Sequence, residues 1–263
     1  MVDDVGDRSA RTIGDLFLEV ERVHDRNAVV RQLVDGRWEG TPDWRFHRRA
    51  LRVALYFDER LRLEPGRGVA LAAKLGPDLA VIAWAALSRG SPVVLLPVHP
   101  GDDLLVDPPP ELPGAVVVVG DDGVAPALPE PHGPVVGLGP SVREGTTSLA
   151  TLLDLGGTLD TGERANAFRS RARAIDPGAT ALVHPAEGRA GWERLRQGDI
   201  LTRVRHTWSA RPPRTGDDVE LTMGPVSPRD FIALIASIAG GHSCAVFSPA
   251  RGEHRSTGSV GNR

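Results

Sequence analysis

One pattern occurs twice in this chain and limits what it can fold into. Within residues 66–97, the run 69–73 is short and apolar, and Pro77 stands where a first helical turn tolerates a missing N–H. Leu79, Ile82, Ala83, Ala86 and Leu87 then recur at helical spacing, Gly90 follows where a helix end favours glycine, and 93–96 is apolar enough for a buried parallel strand. That is a βαβ unit. Residues 216–249 repeat it: Gly66 aligns with Gly216, Val69 with Val219, Leu71 with Leu221, Pro77 with Pro228 and Gly90 with Gly241. The flanks agree, since Asp35-Gly36-Arg37 is echoed by Glu187-Gly188-Arg189, and Trp44 and Trp192 each open a segment with helical character. So long a period lies outside solenoid repeats and predicts an α/β fold, with duplicated βαβ-containing halves packed as one globular body. The halves fall at about 1–140 and 141–249, and the tail 250–263, without apolar periodicity, is expected to be disordered.

Around these units, Thr12 is a candidate cap for a first helix whose stripe is Ile13, Leu16, Phe17, Val20 and Val23. Asp35-Gly36, between apolar runs, signals a tight hairpin, and 43–61 has helical spacing. Residues 115–119 and 135–138 read as short strands, 148–155 as a short helix ended by Gly156-Gly157, and 162–174 as either helix or loop. The second half opens with a strand at 179–183 and a helix at 192–208. All the principal strands are expected in one sheet system. The predicted helix 228–240 is apolar nearly all round, which requires burial on more than one side. The strand 244–247 after it is a candidate sheet edge, to be covered by the N-terminal segment or by a second copy; this is the ground for expecting a homodimer.

Composition removes several functional classes. With 263 residues, 41% hydrophobic and 25% charged, the chain can bury a sizeable core. It carries no run long enough to span a membrane, and the first ten residues are polar and acidic, unlike a signal peptide, so the expected location is cytoplasmic. A net charge of −3 without a long basic block argues against nucleic acid as partner. The lone Cys244 excludes an internal disulfide and reads as an inert buried thiol. No pair among the eight histidines has metal-ligand spacing, so no metal site is expected. Of 31 basic residues only Lys74 is a lysine, which excludes chemistry needing two.

Two motif-like stretches fail on geometry. Around Ser243, Gly-His-Ser-Cys-Ala approaches a nucleophile elbow, but the serine leaves a helix and enters a strand, the reverse of what an elbow requires. Gly137-Leu138-Gly139 lacks the third glycine of a dinucleotide fingerprint and is interrupted by Pro140. The remaining candidate is 183–192, a glycine-containing loop between a predicted strand and a predicted helix, the context in which backbone N–H groups hold an anion. Its candidate contacts are His184, Gly188, Arg189 and Gly191, with Arg189 the one useful cation and Glu187 opposing it. On these local features an ordinary connecting loop is the simpler account.

The layout as a whole resembles the N-terminal part of the adenylate-forming acyl-CoA synthetases, the AMP-binding enzymes. TIGDLFLEVERVHDRNAVV is similar to that family's opening helix, and PGRGVALAAKLGPDLAVIAWAALSRGSPVVLLP to its first βαβ segment. IDPGATALVHPAEGRAGW stands where the family has a strand and then a hydroxyl-rich, lysine-containing phosphate loop. TGDDVELTMGPVSPRDFIALIASIAGGHSCAVFSP is similar to a later segment that ends at a glycine and a valine-rich strand. The resemblance implies ATP or AMP as the ligand of the loop, yet His184, Pro185, Ala186 and Glu187 replace its hydroxyl and glycine positions, and Trp192 lies near the expected lysine. It therefore implies a truncated, degenerate relative, like the short actinobacterial AMP-binding-like proteins. The expectation is a pseudoenzyme with no catalytic residues and no required cofactor, acting as a binding or interaction module for a partner that the sequence does not name. The alternative is an acyl-adenylate-forming ligase, an ATP-dependent acid–CoA ligase, completed by a partner chain.

Overall fold

The computed structural model describes residues 10–23, 25–64, 66–96, 109–120, 133–138, 145–186, 190–210, 219–222, 224 and 226–247. The first repeat comprises α1 (Ile13–Val23), the hairpin β1 (Val30–Val34) and β2 (Arg37–Gly40), α2 (Asp43–Glu59), β3 (Val69–Ala72), α3 (Pro77–Ser88) and β4 (Val93–Leu95). Three short strands follow, β5 (Val116–Val119), β6 (Val135–Gly137) and β7 (Thr146–Ser148), and then α4 (Leu149–Leu159) and α5 (Gly162–Arg173). The second repeat contains the hairpin β8 (Thr180–Pro185) and β9 (Trp192–Arg196), α6 (Gln197–Ala210), β10 (Val219–Thr222), α7 (Pro228–Ala239) and β11 (Cys244–Phe247).

The strands form two sheets rather than the single system expected, in the orders β10-β11-β1-β2 and β7-β6-β5-β3-β4-β8-β9. The reason is an exchange between the repeats. The β3-α3-β4 unit is extended by the β8–β9 hairpin of the second repeat, with Val93 opposite Leu182 in parallel register. The β10-α7-β11 unit is extended by the β1–β2 hairpin of the first, with Cys244 opposite Val30. In both sheets the hairpin's outer strand is antiparallel, and all other pairings are parallel. Both predicted βαβ units are therefore present, and the sheets share one strand plan over this part.

The exchange also covers the strand read as an edge. β11 lies between β10 and β1, both from its own chain, so the ground for a homodimer falls away and the N-terminal segment supplies the cover. Cys244 is fully buried there, and burial pushes its thiol up to about 12, which leaves it protonated and inert at neutral pH. Ser243 donates its hydroxyl to the Ala28 carbonyl at 2.6 Å, tying the two sheet segments together.

Apolar helices fill the space between and around the sheets. Every residue of α3 from Leu79 to Ser88 is buried, with Trp84 fully enclosed, and α7 is buried from Phe231 to Ala239 except at Ala233. The predicted glycine stop at 156–157 is instead the middle of α4. A Cβ on Gly156 would come within 2.4 Å of the Arg52 carbonyl oxygen, so that glycine permits close approach to α2 rather than ending a helix. Residues 162–173 resolve as helix, capped by Thr161.

Polar contacts are spent where the repeats meet. Asp43, at the start of α2, accepts from the Arg26 backbone and from Nε and Nη2 of its guanidinium at 2.8 and 2.7 Å. The same guanidinium donates to the carbonyls of Ser237, Ile238 and His242 at the end of α7. An anion thus sits at one helix start and a cation at another helix end, each where the helix dipole favours it. Burial acts to raise the Asp43 carboxyl, but His47, 3.6 Å away, and Arg26 together hold it well below the usual carboxylate range. At the start of α6 the corresponding task falls to Gln197, whose Oε1 accepts from the Ile13 N–H at 2.9 Å and whose Nε2 donates to the Leu87 carbonyl at 3.5 Å.

Candidate functional site

The loop singled out in the sequence joins two antiparallel strands, not a strand to a helix. Trp192 pairs with Pro185 and Glu193 with His184, and the helix expected from Trp192 starts only at Gln197. Alternation explains the difference: Leu195 points to the core while Arg194 and Arg196 are exposed. Gln197 donates its N–H to the Ala179 carbonyl, so α6 begins beside the start of β8, away from the loop. The N-terminus of α6 is therefore not the one that the sequence placed at the end of this loop. Trp192, preceding the glutamate that faces β8, corresponds to Trp38, which precedes Glu39 in β2; the match to Trp44, inside α2, does not hold.

Of the four predicted contacts, Gly188 and Arg189 lie outside the described residues. Gly191 closes the hairpin with φ of 115°, a left-handed conformation suited to glycine, and its carbonyl accepts from the Ala186 N–H. His184 is 4% exposed. Its Nδ1 donates to the Pro185 carbonyl at 2.9 Å, and its Nε2 lies 3.8 Å from the Glu193 carboxylate.

His184 and Glu193 face a cleft of about 1190 Å³ bounded by α6, β10 and the first turn of α7. Arg203 and His206 come from α6, and Arg229 from α7; the carboxylates of Glu220 on β10 and Asp230 on α7 share the lining with them. Ser227 caps α7: its hydroxyl accepts from the Asp230 N–H at 3.1 Å and donates to the Asp230 carboxylate at 2.6 Å. The α7 end is thus occupied by its own side chain. Arg203 and Arg229 on the cleft wall can pair with an oxyanion, and no lysine is among the described lining residues.

The α6 and α7 residues are absent from the sequence-level candidates because they stand on separate elements that only the fold brings to the hairpin. Ser227-Pro228-Arg229-Asp230, a serine followed three residues on by an acid, was the one legible signal, as a helix start. Among the described residues no group of three or more histidine, cysteine, aspartate or glutamate side chains could hold a metal ion, and no helix is long and apolar enough to cross a membrane.

No protein-family profile matches the chain, and neither does any curated protein. Solved structures do. A protein assigned as a long-chain-fatty-acid CoA ligase from Rhodopseudomonas palustris superposes with a TM-score of 0.64 at 19% identity, over 90% of this chain and 57% of that one. An acyl-CoA synthetase from Brucella canis gives 0.64 at 13% identity, covering 90% and 43%. A fatty acyl CoA synthetase from Mycobacterium tuberculosis gives 0.63 at 14%, covering 92% and 45%. The fold is that of the N-terminal part of acyl-CoA synthetases, and the chain spans 43–57% of the length of these three.

Proposed function

We propose that this protein is a non-catalytic binding module on an adenylate-forming ligase fold, taking its ligand in the cleft beside His184. Adenylation needs the charge on a transferring phosphate neutralised by lysine, metal or preorganised backbone donors. The segment that resembles the phosphate loop carries His184, Pro185, Ala186 and Glu187, and the only lysine, Lys74, stands in the other repeat. The observation that carries the reading is the cleft itself, a space large enough for a nucleotide, where Arg203 and Arg229 stand among the carboxylates of Glu193, Glu220 and Asp230.

Pyrophosphate exchange with a panel of carboxylic acids is expected to stay at background, and ATP or AMP to raise the melting temperature by binding the native state alone. Arg203→Ala removes that shift. Robust exchange by the purified chain overturns the non-catalytic reading, and no shift at millimolar nucleotide overturns nucleotide as the ligand. A second reading, an acyl-adenylate-forming ligase completed by another polypeptide segment, is favoured by the fold likeness and by the partial span of the ligases it matches. It predicts ATP-dependent turnover once the missing part of such a ligase is supplied.

A further inference from the structure

The first repeat has a cleft of its own, at a different place in the fold. Leu75, in the loop after β3, donates its N–H to the Gly224 carbonyl in the loop after β10, so the two βαβ loops touch. One loop leads to the cleft beside His184, and the other to a cleft of about 590 Å³. In the seven-stranded sheet β3 lies between β4 and β5, and the chain leaves β3 for β4 on one side and β5 for β6 on the other. Connections that diverge in this way open a crevice beyond the carboxyl ends of parallel strands, where ligands of open α/β sheets bind. The smaller cleft lies there, with Lys74 and Gly76 after β3, Gly120 after β5 and Leu138 after β6; its opposite wall is Gln32 and Val34 of β1. Its volume suits a small molecule rather than a macromolecular segment.

The lining is mixed in character. Val34 and Leu138 are its partly exposed apolar residues, and Leu75 and Leu79 are buried. It also carries the exposed Lys74 and the guanidinium of Arg49, whose Nη2 lies 2.6 Å from Asp78 Oδ1 and offsets that carboxylate. Glu39 stands on the hairpin rim. The α3 helix opens into the cleft at Gly76 with no side-chain cap, whereas the corresponding position in α7 is filled by Ser227. We propose that this cleft is a second ligand site for a small organic anion, its carboxylate or phosphate group meeting Lys74 and the open first turn of α3 and its apolar body lying along Val34 and Leu138.

The test uses the full chain, isotopically labelled, titrated separately with hexanoate, monohexyl phosphate, inorganic phosphate and hexanol. Saturable binding of hexanoate or monohexyl phosphate is expected, moving the amide signals of Gly76, Leu79 and Gly120 and leaving those of Glu193 and Ser227 in place. The better of the two identifies the head group; inorganic phosphate and hexanol, each lacking one half of the ligand, should bind at least tenfold more weakly. Gly76→Ser installs the cap that α7 already has. Its backbone is extended, with φ of −175°, and an added Cβ would have Gln32 Oε1 as its nearest neighbour at 3.7 Å, so the variant folds. It should keep or raise the melting temperature while weakening binding about tenfold, as the serine hydroxyl competes for the same N–H groups. Lys74→Gln should weaken binding severalfold. No binding of either amphiphile at millimolar concentration, signals moving at Glu193 and Ser227 instead, or unchanged affinity in Gly76→Ser each overturns the proposal.

Discussion

Asp43 and Gln197 hold equivalent places at the starts of α2 and α6, both almost wholly buried, and they solve one problem by different means. Asp43 does so with charge, bound to Arg26 and through it to the last carbonyls of α7. Gln197 does so with a neutral amide, bridging the first N–H of α1 and a carbonyl near the end of α3. A buried ion pair contributes little net stability over an apolar substitute but is costly to break on one side, whereas losing a neutral amide leaves a polar group and not a charge unpaired, at a smaller cost. The duplicated architecture therefore fixes that a helix start must be tied to a neighbouring element, and leaves the chemistry of the tie free to differ.

The largest expected effect breaks the charged tie on one side. Arg26→Met leaves the Asp43 carboxylate buried without its cation and should lower stability by about 4 kcal/mol in urea denaturation. Adding Asp43→Leu should recover most of that loss; a double variant as unstable as the single one would mean that the α7 carbonyls, not the ion pair, matter at Arg26. Next is acid. The folded-state Asp43 carboxyl is depressed below the unfolded value of about 3.9. Its contribution is thus fully present above that value and is lost as pH falls through it toward the folded-state pKa. Stability should fall steeply below about pH 4, less so in the Arg26→Met, Asp43→Leu double variant, and identical pH slopes would remove Asp43 as the cause.

The neutral tie should behave otherwise. Gln197→Leu strands the buried Ile13 N–H and should cost about 2 kcal/mol, by the same amount at pH 4 and pH 7. A pH-dependent loss would erase the contrast between the two helix starts. Smallest is the cap that separates the two clefts: Ser227→Ala should lower stability by about 1 kcal/mol, read from the denaturation midpoint. A loss much below that would mean that Asp230 alone holds the first turn of α7.

The βαβ units were legible because their signals are local: an apolar run, a proline at a helix start, a glycine at its end. Sheet membership was not, since β1 carries no mark that says whether it meets β4 or β11, and only packing of the whole chain decides. The segment from Trp192 to Arg196 was misread for a related reason. Its alternation is short and merges into the polar helix after it, so the strand shows only once β8 is available as its partner. Gly156 misled because a glycine that ends a helix and one that lets two helices touch look alike in sequence. At the candidate site, His184 was found through the segment resembling the phosphate loop. Arg203 and Ser227 were not, because nothing local ties them to that strand.

The exchange of hairpins sets an order of events during synthesis. Val30 of β1 has its parallel partner in Cys244 of β11, more than two hundred residues downstream. At about 5–20 residues per second the ribosome needs roughly 10–40 s to supply it. Until then β1 and β2 are a two-stranded ribbon with one open flank, a form that is marginally stable at best in water. The first βαβ unit can pair β3 with β4 early, but β4 waits for β8 in the same way. Neither sheet can be completed while the nascent chain is half made: the seven-stranded sheet can close once β9 is translated, during synthesis of the second repeat, and the four-stranded sheet only after β11 at its end.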